Sequence, residues 1–299
     1  MRVLVTGASG FLGRYVVPAL VAAGHQVVGT SGSKGATVGS APVHPHRMGD
    51  PLPDEVVDFG PESVVHLVWE GIPDFSSECC HRNLVDQSTF FNQVVALPSV
   101  RRMLVAGTCR EYGVPTGETN GEAVIGPADD FGRAKNDLHR VAAEGCVQSG
   151  LGLTWFRIFF VYGPGQRAGS LLPSVIGQLA DGLIPAVRNP DAAHDFIEVG
   201  DVAEAFVLAV SSNGPHDVVD LGSGHLTRVG EVVAVARAAV EGRPVVRVAE
   251  SNRAVGLCAD VRPAARVLGW HPVTDLTTGV GRMVAERGLG AGMISGTEG

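Results

Sequence analysis

Gly7, Gly10 and Gly13 stand three apart in the run Thr6-Gly7-Ala8-Ser9-Gly10-Phe11-Leu12-Gly13. That spacing suits one kind of chemistry, the holding of a pyrophosphate against bare backbone. The first glycine permits a tight turn, the second lets the backbone approach the phosphates, and the third lets a helix pack close to a strand. The N-terminus of that helix adds unpaired N–H groups and the positive end of its dipole. The run follows the strand-length stretch Arg2–Thr6 and opens the amphipathic stretch Phe11–Ala23. This is the strand–turn–helix context a dinucleotide site requires. Ser9, Phe11, Leu12 and Arg14 lie in or beside the turn and are candidate cofactor contacts with the three glycines.

A second strand, Gln26–Thr30, runs into Ser31-Gly32-Ser33-Lys34. A carboxylate at this place bonds the ribose 2′-hydroxyl of NAD. None is present. Ser31, Ser33 and Lys34 can bind a 2′-phosphate, and Arg14 can help. NADP(H) is therefore the expected cofactor, with NAD(H) the second choice. Asp50, after Gly49, is a candidate contact to the adenine.

The elements that must position these residues alternate along the first two-thirds of the chain. Strands are expected at Arg2–Thr6, Gln26–Thr30, Ser63–Val68, Arg102–Ala106 and Leu153–Val161. Helices are expected at Phe11–Ala23, near Arg82–Ala96, and at Pro127–Gln148 with proline in the first turn. Strands this apolar, alternating with helices, predict a Rossmann-type doubly wound parallel sheet of the α/β class, covered on both faces. From about Gln166 the rhythm changes to a helix at Ser170–Asp181, a short strand at His194–Val199, and a helix at Asp201–Ser211 with Asp201 as its N-cap. A strand at Val218–Leu221 and a helix at Arg228–Glu241 follow, and the tail after Gly288 is expected to fray. The division is a nucleotide-binding domain over 1–165 and a smaller α/β substrate lobe over 166–299, with elements exchanged near 165–225.

Composition narrows the function classes. With 299 residues, 45% hydrophobic and 18% charged, the chain can bury a large core and is not a disordered segment. Lys+Arg 23 against Asp+Glu 31 gives −8 with no basic run, so nucleic acid is not an expected partner. Apolar stretches are broken well short of the ~20 residues that span a bilayer, and the N-terminus reads as strand and turn rather than signal peptide. No membrane partner is expected, and the location is read as cytoplasmic. Five cysteines, none in C-x-x-C spacing, predict buried thiols rather than a disulfide framework, and no metal site is expected.

Further motifs carry a resemblance. They are His66-Leu67-Val68, Thr108 through Tyr112-Gly113, Lys135, Tyr162-Gly163-Pro164-Gly165-Gln166, His194-Asp195-Phe196-Ile197, Gly222-Ser223-Gly224 and Leu268-Gly269-Trp270-His271-Pro272. With the glycine turn and Gly49-Asp50 they make the chain, from Met1 to about Val284, resemble an extended short-chain dehydrogenase/reductase. That group contains nucleotide-sugar epimerases, dehydratases and ketoreductases. Trp69-Glu70-Gly71 and Gly107-Thr108-Cys109-Arg110-Glu111-Tyr112-Gly113 resemble a narrower set, reductases of dTDP- or CDP-linked 4-keto-6-deoxyhexoses. The resemblance places Leu67 and Val68 along the cofactor and implies a homodimer paired through the helices near 82–96 and 127–148.

The resemblance also implies a catalytic set of a Ser/Thr, a Tyr and a Lys. The phenol moves the proton on the substrate oxygen. The lysine binds the nicotinamide ribose and lowers the phenol's pKa from its ordinary ~10. The hydroxyl bonds the same oxygen. Here Thr108 and Lys135 stand in their places, but Phe131 stands four residues before Lys135, where the tyrosine belongs. The alignment puts the Phe131 ring edge at the nicotinamide with the Thr108 hydroxyl nearby. Three readings are open: a deliberate Tyr→Phe change, an enzyme that protonates its substrate otherwise, or a chain that binds without turnover. For the second, Thr108 relaying from water, Tyr112, Cys109, Glu111, Asp129 and Asp130 are the candidate donors.

Dehydratases of this group carry an Asp-Glu pair after the Ser/Thr, where this chain has Cys109-Arg110. A 4-epimerase usually has the acid after the second strand. Both absences favour net reduction by an exchangeable NADPH. The substrate is expected between the lobes. Phe160 replaces a common Asn and His194-Asp195 an Arg-Asp pair, so Phe160 and Trp69 are expected to form an apolar wall for a 6-deoxy methyl group. Gln166 and Cys109 are further substrate candidates, Arg253 and Arg262 are candidates for a diphosphate clamp, and Arg157 is read as structural.

Overall fold

Val3 and Val5 of the first strand face one hydrophobic layer, and Leu4 faces another. Alternation with both faces apolar is what a strand covered by helices on either side demands. The computed structural model describes residues 1–32, 36–113, 117–118, 128–212, 214, 216–244 and 254–289. In the first half the elements are β1 (Arg2–Thr6), α1 (Gly13–Ala22), β2 (Gln26–Ser31), β3 (Ala36–Val38), β4 (Ala41–Pro45), α2 (Asp54–Phe59), β5 (Ser63–His66), α3 (Ser77–Val95) and β6 (Arg102–Thr108). A 3-10 turn, Cys109–Tyr112, follows, then β7 (Gly117–Glu118), α4 (Asp130–Ser149), β8 (Gly152–Ile158), β9 (Phe160–Tyr162) and α5 (Leu171–Ala180). The chain continues with β10 (Ala193–Glu198), α6 (Val199–Ser211), β11 (His216–Leu221), β12 (Leu226–Arg228), α7 (Val229–Val240), β13 (Leu257–Cys258), α8 (Arg262–Leu268) and α9 (Leu276–Glu286).

The main sheet has eight strands in the order β11-β8-β6-β5-β1-β2-β4-β3, parallel except for β3. It is the expected Rossmann-type doubly wound fold. β1 pairs with β2 on one side and β5 on the other. The order reverses there, which opens a crevice beyond the carboxyl ends of β1 and β5. α1 and α6 cover one face, where Val16, Leu20, Val202 and Phe206 meet Val65, Leu104 and Phe156. α3 and α4 cover the other, with Phe90, Phe91, Val94, Leu138 and Ala142 against Leu4, Val64, Met103 and Trp155. Each such side chain contributes about 1.5–3 kcal/mol by leaving water.

A three-stranded sheet, β12-β10-β9, and a two-stranded pair, β13-β7, stand apart from the main sheet. α5, α7 and α9 build a third core around Ile176, Val232 and Val280. β11, late in the sequence, closes the edge of the large sheet beside β8.

Several expected boundaries move. The stretch Leu153–Val161 is two strands, because Phe159 turns inward to the Leu221 carbonyl between them. α6 begins at Val199, capped by the Glu198 carboxylate, which accepts from Gly200 N at 2.6 Å. Asp201 is therefore not the cap. It lies in the first turn and accepts from Val273 N and Thr274 N at 3.0 and 2.8 Å. Pro127 and the tail from 290 lie outside the described residues. β3, β4, α2, β7, β12, β13, α8 and α9 were not expected from the sequence.

Candidate active site

The glycine turn is built as its spacing requires. Gly7 has φ +69°, a conformation open to glycine at no steric cost. A Cβ at Gly13 would collide with the carbonyl oxygens of Gly7 and Ala8, so α1 can start this close to the turn only without a side chain there. Beyond the turn lies a cleft of about 580 Å3. Gly7, Ser9, Gly10, Phe11, Leu12 and Gly13 form one wall, Leu67, Val68 and Trp69 another, and Thr30, Ser31 and Gly32 the outer end. Its size and bare backbone fit a dinucleotide. Buried polar atoms left without partners support the fit, since Thr30 Oγ1 and His46 Nδ1 lie in cleft-lining residues and have no partner among the described residues.

The outer end carries no carboxylate from β2. Ser31 Oγ and Ser9 Oγ are 2.5 Å apart, tying the strand end to the glycine turn. Ser33 and Lys34 lie outside the described residues. Arg14 does not line this end. Its guanidinium donates to the Gly165 carbonyl at 2.8 Å and, with the Tyr15 hydroxyl on Pro164, holds α1 to the turn after β9. Asp50 is exposed, and its carbonyl accepts from His46 Nε2 at 3.2 Å and Gln93 Nε2 at 3.0 Å.

Lys135 and Phe131 share a face of α4 one turn apart, as their spacing requires. The Lys135 ammonium donates to the Ala106 carbonyl of β6 at 2.8 Å and lies 4.8 Å from the centre of the Trp69 ring. Lys135 is only 3% exposed. Burial pulls its pKa down to about 8, against the opposing pull of Glu111. The Phe131 ring packs edge-on to Trp69 at 4.8 Å and against Phe75 at 4.7 Å. Trp69 lines the cleft, and Phe131 packs against its indole with Phe75 on the other side. The Arg110 guanidinium lies 4.7 Å from the Phe75 centroid and 5.1 Å from that of Phe131, held by Asp129.

Thr108 caps the 3-10 turn. Its Oγ1 accepts from Arg110 N at 3.3 Å. Its own hydroxyl hydrogen has no acceptor among the described residues, and the residue is partly exposed. The other candidate proton donors are engaged elsewhere. The Tyr112 hydroxyl donates to Asp220 at 2.8 Å, is fully buried, and has its pKa raised by burial and by that carboxylate. Glu111 is sealed in a buried ion pair with Arg157 at 2.8 Å and also accepts from Trp155. Asp129 accepts from Gly132 N and Arg110, and Asp130 pairs with Arg133. Cys109 was expected to meet substrate. Instead the turn aims it inward, among Tyr112, Phe159 and Ala259, where burial pushes its thiol up to about 12. All five cysteines are buried and unbridged.

A second cavity of about 310 Å3 adjoins the cleft and shares Val161 with it. Phe160 and His194 stack across it at 4.0 Å, with Phe196 beside them. Gln166 donates to the Val161 carbonyl at 2.9 Å, and its buried Oε1 has no partner among the described residues. Asp195 is fully buried and accepts from Ser223 N at 2.6 Å and Ala259 N at 3.1 Å, so it ties β10 to the turn after β11 and to the residue after β13. Arg262 is paired with Asp260 at 2.7 Å, and Arg253 lies outside the described residues. Sequence reasoning missed His46, Arg47 and Phe75. The first two follow β4, a strand too short for its pattern to stand out, although Gly49-Asp50 just beyond it was legible.

The fold, the glycine turn and the paired cavities together define a dinucleotide-dependent enzyme of the extended short-chain dehydrogenase/reductase type. Residues 3–222 match the model of the NAD dependent epimerase/dehydratase family, and the chain belongs to it. It is similar to a UDP-glucose 4-epimerase of Corynebacterium glutamicum, 29% identical over 93% of each chain. It is also similar to a dTDP-6-deoxy-L-talose 4-dehydrogenase (NAD(+)) of Aggregatibacter actinomycetemcomitans, 24% identical over 68% of this chain and 77% of that one. Among solved structures, MoeE5 in complex with UDP-glucuronic acid and NAD matches with a TM-score of 0.81 and 26% identity, covering 96% of this chain and 99% of that one. No helix among the described residues is long and apolar enough to cross a membrane.

Proposed function

We propose that this protein is an NADPH-dependent ketoreductase acting on a nucleotide-linked 4-keto-6-deoxyhexose, dTDP- or CDP-bound, in deoxysugar biosynthesis. The observation that carries this reading is Phe131 on α4, with Lys135 and Thr108 retained. An epimerase must first oxidise an alcohol, and that step needs a base to take the hydroxyl proton. Phenylalanine offers none. Reduction needs only a donor to the oxygen that forms, an alkoxide basic enough to draw a proton from a weak acid. Thr108, whose hydroxyl hydrogen has no acceptor among the described residues, is that donor, replenished from water.

The bound cofactor supplies hydride to the carbonyl carbon. The residues do the rest. The glycine turn would hold the pyrophosphate, Leu67 and Val68 would line the path to the nicotinamide, and Lys135 would hold the nicotinamide ribose. As the new C–H bond forms, the carbonyl π electrons move onto oxygen, and Thr108 gives that oxygen its proton. Trp69 in the cleft and Phe160 in the adjoining cavity offer apolar surface to the 6-methyl group, and Gln166 offers the sugar nucleotide a carbonyl with no partner among the described residues. The C. glutamicum relative, named a UDP-glucose 4-epimerase, favours epimerisation as the second reading. A homodimer through α3 and α4 and a cytoplasmic location belong to the proposal. Sedimentation at micromolar concentration tests the dimer.

The deciding experiment mixes the protein with NADPH and a dTDP- or CDP-4-keto-6-deoxyhexose and follows loss of NADPH absorbance. Stoichiometric oxidation with formation of the 4-hydroxy sugar is expected. Interconversion of UDP-glucose and its 4-epimer with no net NADPH loss would instead establish the epimerase. Dinucleotide binding with neither reaction would leave a binding protein.

A further inference from the structure

β4 pairs with β2, and the His46 N–H donates to the Ser31 carbonyl at 2.8 Å. That bond brings the residues after β4 level with the end of β2, where an adenosine ribose lies in a fold of this kind. Two side chains there have unspent polar capacity. His46 is 7% exposed, and its Nε2 donates to the Asp50 carbonyl at 3.2 Å. In the neutral ring this leaves Nδ1 as an acceptor, and Nδ1 is buried with no partner among the described residues. Arg47 follows it, exposed, lining the cleft with Ser31 and Gly32. Its guanidinium makes no hydrogen bond or ion pair among the described residues.

A free guanidinium at the mouth of a cleft suits a phosphate, which it can meet with two parallel N–H bonds. An unpaired buried imidazole nitrogen suits a hydroxyl or an amine. A 2′-phosphorylated adenosine presents both kinds of group within one residue's reach. Among the described residues Arg14, a second cation close to the glycine turn, is committed to the Gly165 carbonyl. The Ser31 hydroxyl lies on the same rim, where a carboxylate would have repelled the phosphate.

We infer that Arg47 and His46 form the subsite for the adenosine end of the dinucleotide, with Arg47 binding the 2′-phosphate and so setting the preference for NADPH over NADH. This rests on the NADPH reading above and names the residue responsible for it.

The test titrates NADPH, NADH, 2′,5′-ADP and 5′-ADP into the full-length wild type and into Arg47→Gln by calorimetry. The wild type is expected to bind NADPH and 2′,5′-ADP more tightly than their unphosphorylated counterparts. Arg47→Gln should lose ~10–100-fold in affinity for the two phosphorylated ligands, the scale of a bond to a charged group. Its affinity for NADH should stay unchanged, which also shows that the variant is folded. His46→Ala should weaken NADPH and NADH alike, since the group it serves is common to both. A wild type that binds NADH more tightly overturns both the NADPH reading and this inference. A wild type that prefers NADPH, with the preference intact in Arg47→Gln, overturns only the assignment to Arg47. Equal weakening of all four ligands by Arg47→Gln would also overturn it, because the guanidinium would then serve the adenine rather than the phosphate.

Discussion

Restoring a phenol at position 131 is the sharpest perturbation available. Phe131 sits one turn before Lys135, 9% exposed, held by Trp69 and Phe75. Phe131→Tyr adds one oxygen to that box. If the hydroxyl finds no partner, the fold loses about 1–3 kcal/mol. If it reaches the substrate oxygen, a positioned general acid is worth ~10²–10⁴-fold in rate, about 3–5 kcal/mol of barrier. Lys135 would help, since an ammonium one turn away lowers a phenol's pKa from its ordinary ~10. The gain should therefore exceed the loss, giving a faster and somewhat less stable enzyme. The assay is NADPH consumption with a 4-keto-6-deoxyhexose nucleotide, run beside a thermal melt. Thr108→Val should lower the wild-type rate ~10-fold or more by removing the hydroxyl proposed to protonate the forming alkoxide. An unchanged rate in Phe131→Tyr, with activity abolished by Asp129→Asn or Tyr112→Phe, would place the proton donor elsewhere and refute the reasoning. An unchanged rate in Thr108→Val would do the same for its assigned part.

Three other outcomes follow from the same site. Lys135 loses its proton near pH 8, so dinucleotide affinity should fall as pH rises through that value, read by titration at successive pH. Stability should run the other way. Between about 8 and the ordinary lysine value of 10.5 the unfolded chain holds a proton that the folded chain does not. Wild type should therefore gain up to about 3 kcal/mol relative to Lys135→Met across that range in denaturant melts, and a loss would contradict the buried ammonium. Trp69 lines the cleft while Trp155 and Trp270 are fully buried, so dinucleotide should quench tryptophan fluorescence in the wild type and not in Trp69→Phe. Glu111→Gln should cost about 3–5 kcal/mol in a urea melt, because it strands the buried Arg157 charge; a change below 1 kcal/mol would show the pair to be idle.

Much of the molecule was legible in the chain itself, for a physical reason. A pyrophosphate turn needs its glycines at fixed offsets, so Gly7, Gly10 and Gly13 announce both the local backbone and the cleft. Lys135 and Phe131 announce a shared helix face, since four residues make one turn. The parallel sheet is announced by continuous apolar strands, because helices must cover both faces. What was illegible depends on neighbours distant in sequence. Asp201 looks like a cap, yet Glu198 takes that role and Asp201 holds residues 273 and 274. Cys109 looks available, but β6 and the turn after it drive the thiol into the core. Tyr112 and Glu111 look like acids until Asp220 and Arg157 engage them. The sequence alone determined the glycine turn that opens the first helix and the shared face of Phe131 and Lys135 on α4. Tertiary packing alone decided that Trp69 stands over the lysine and that Arg47, from the next strand along, faces the end of β2. Partners are chosen by which strands lie side by side, and that order is not written in any local run of residues.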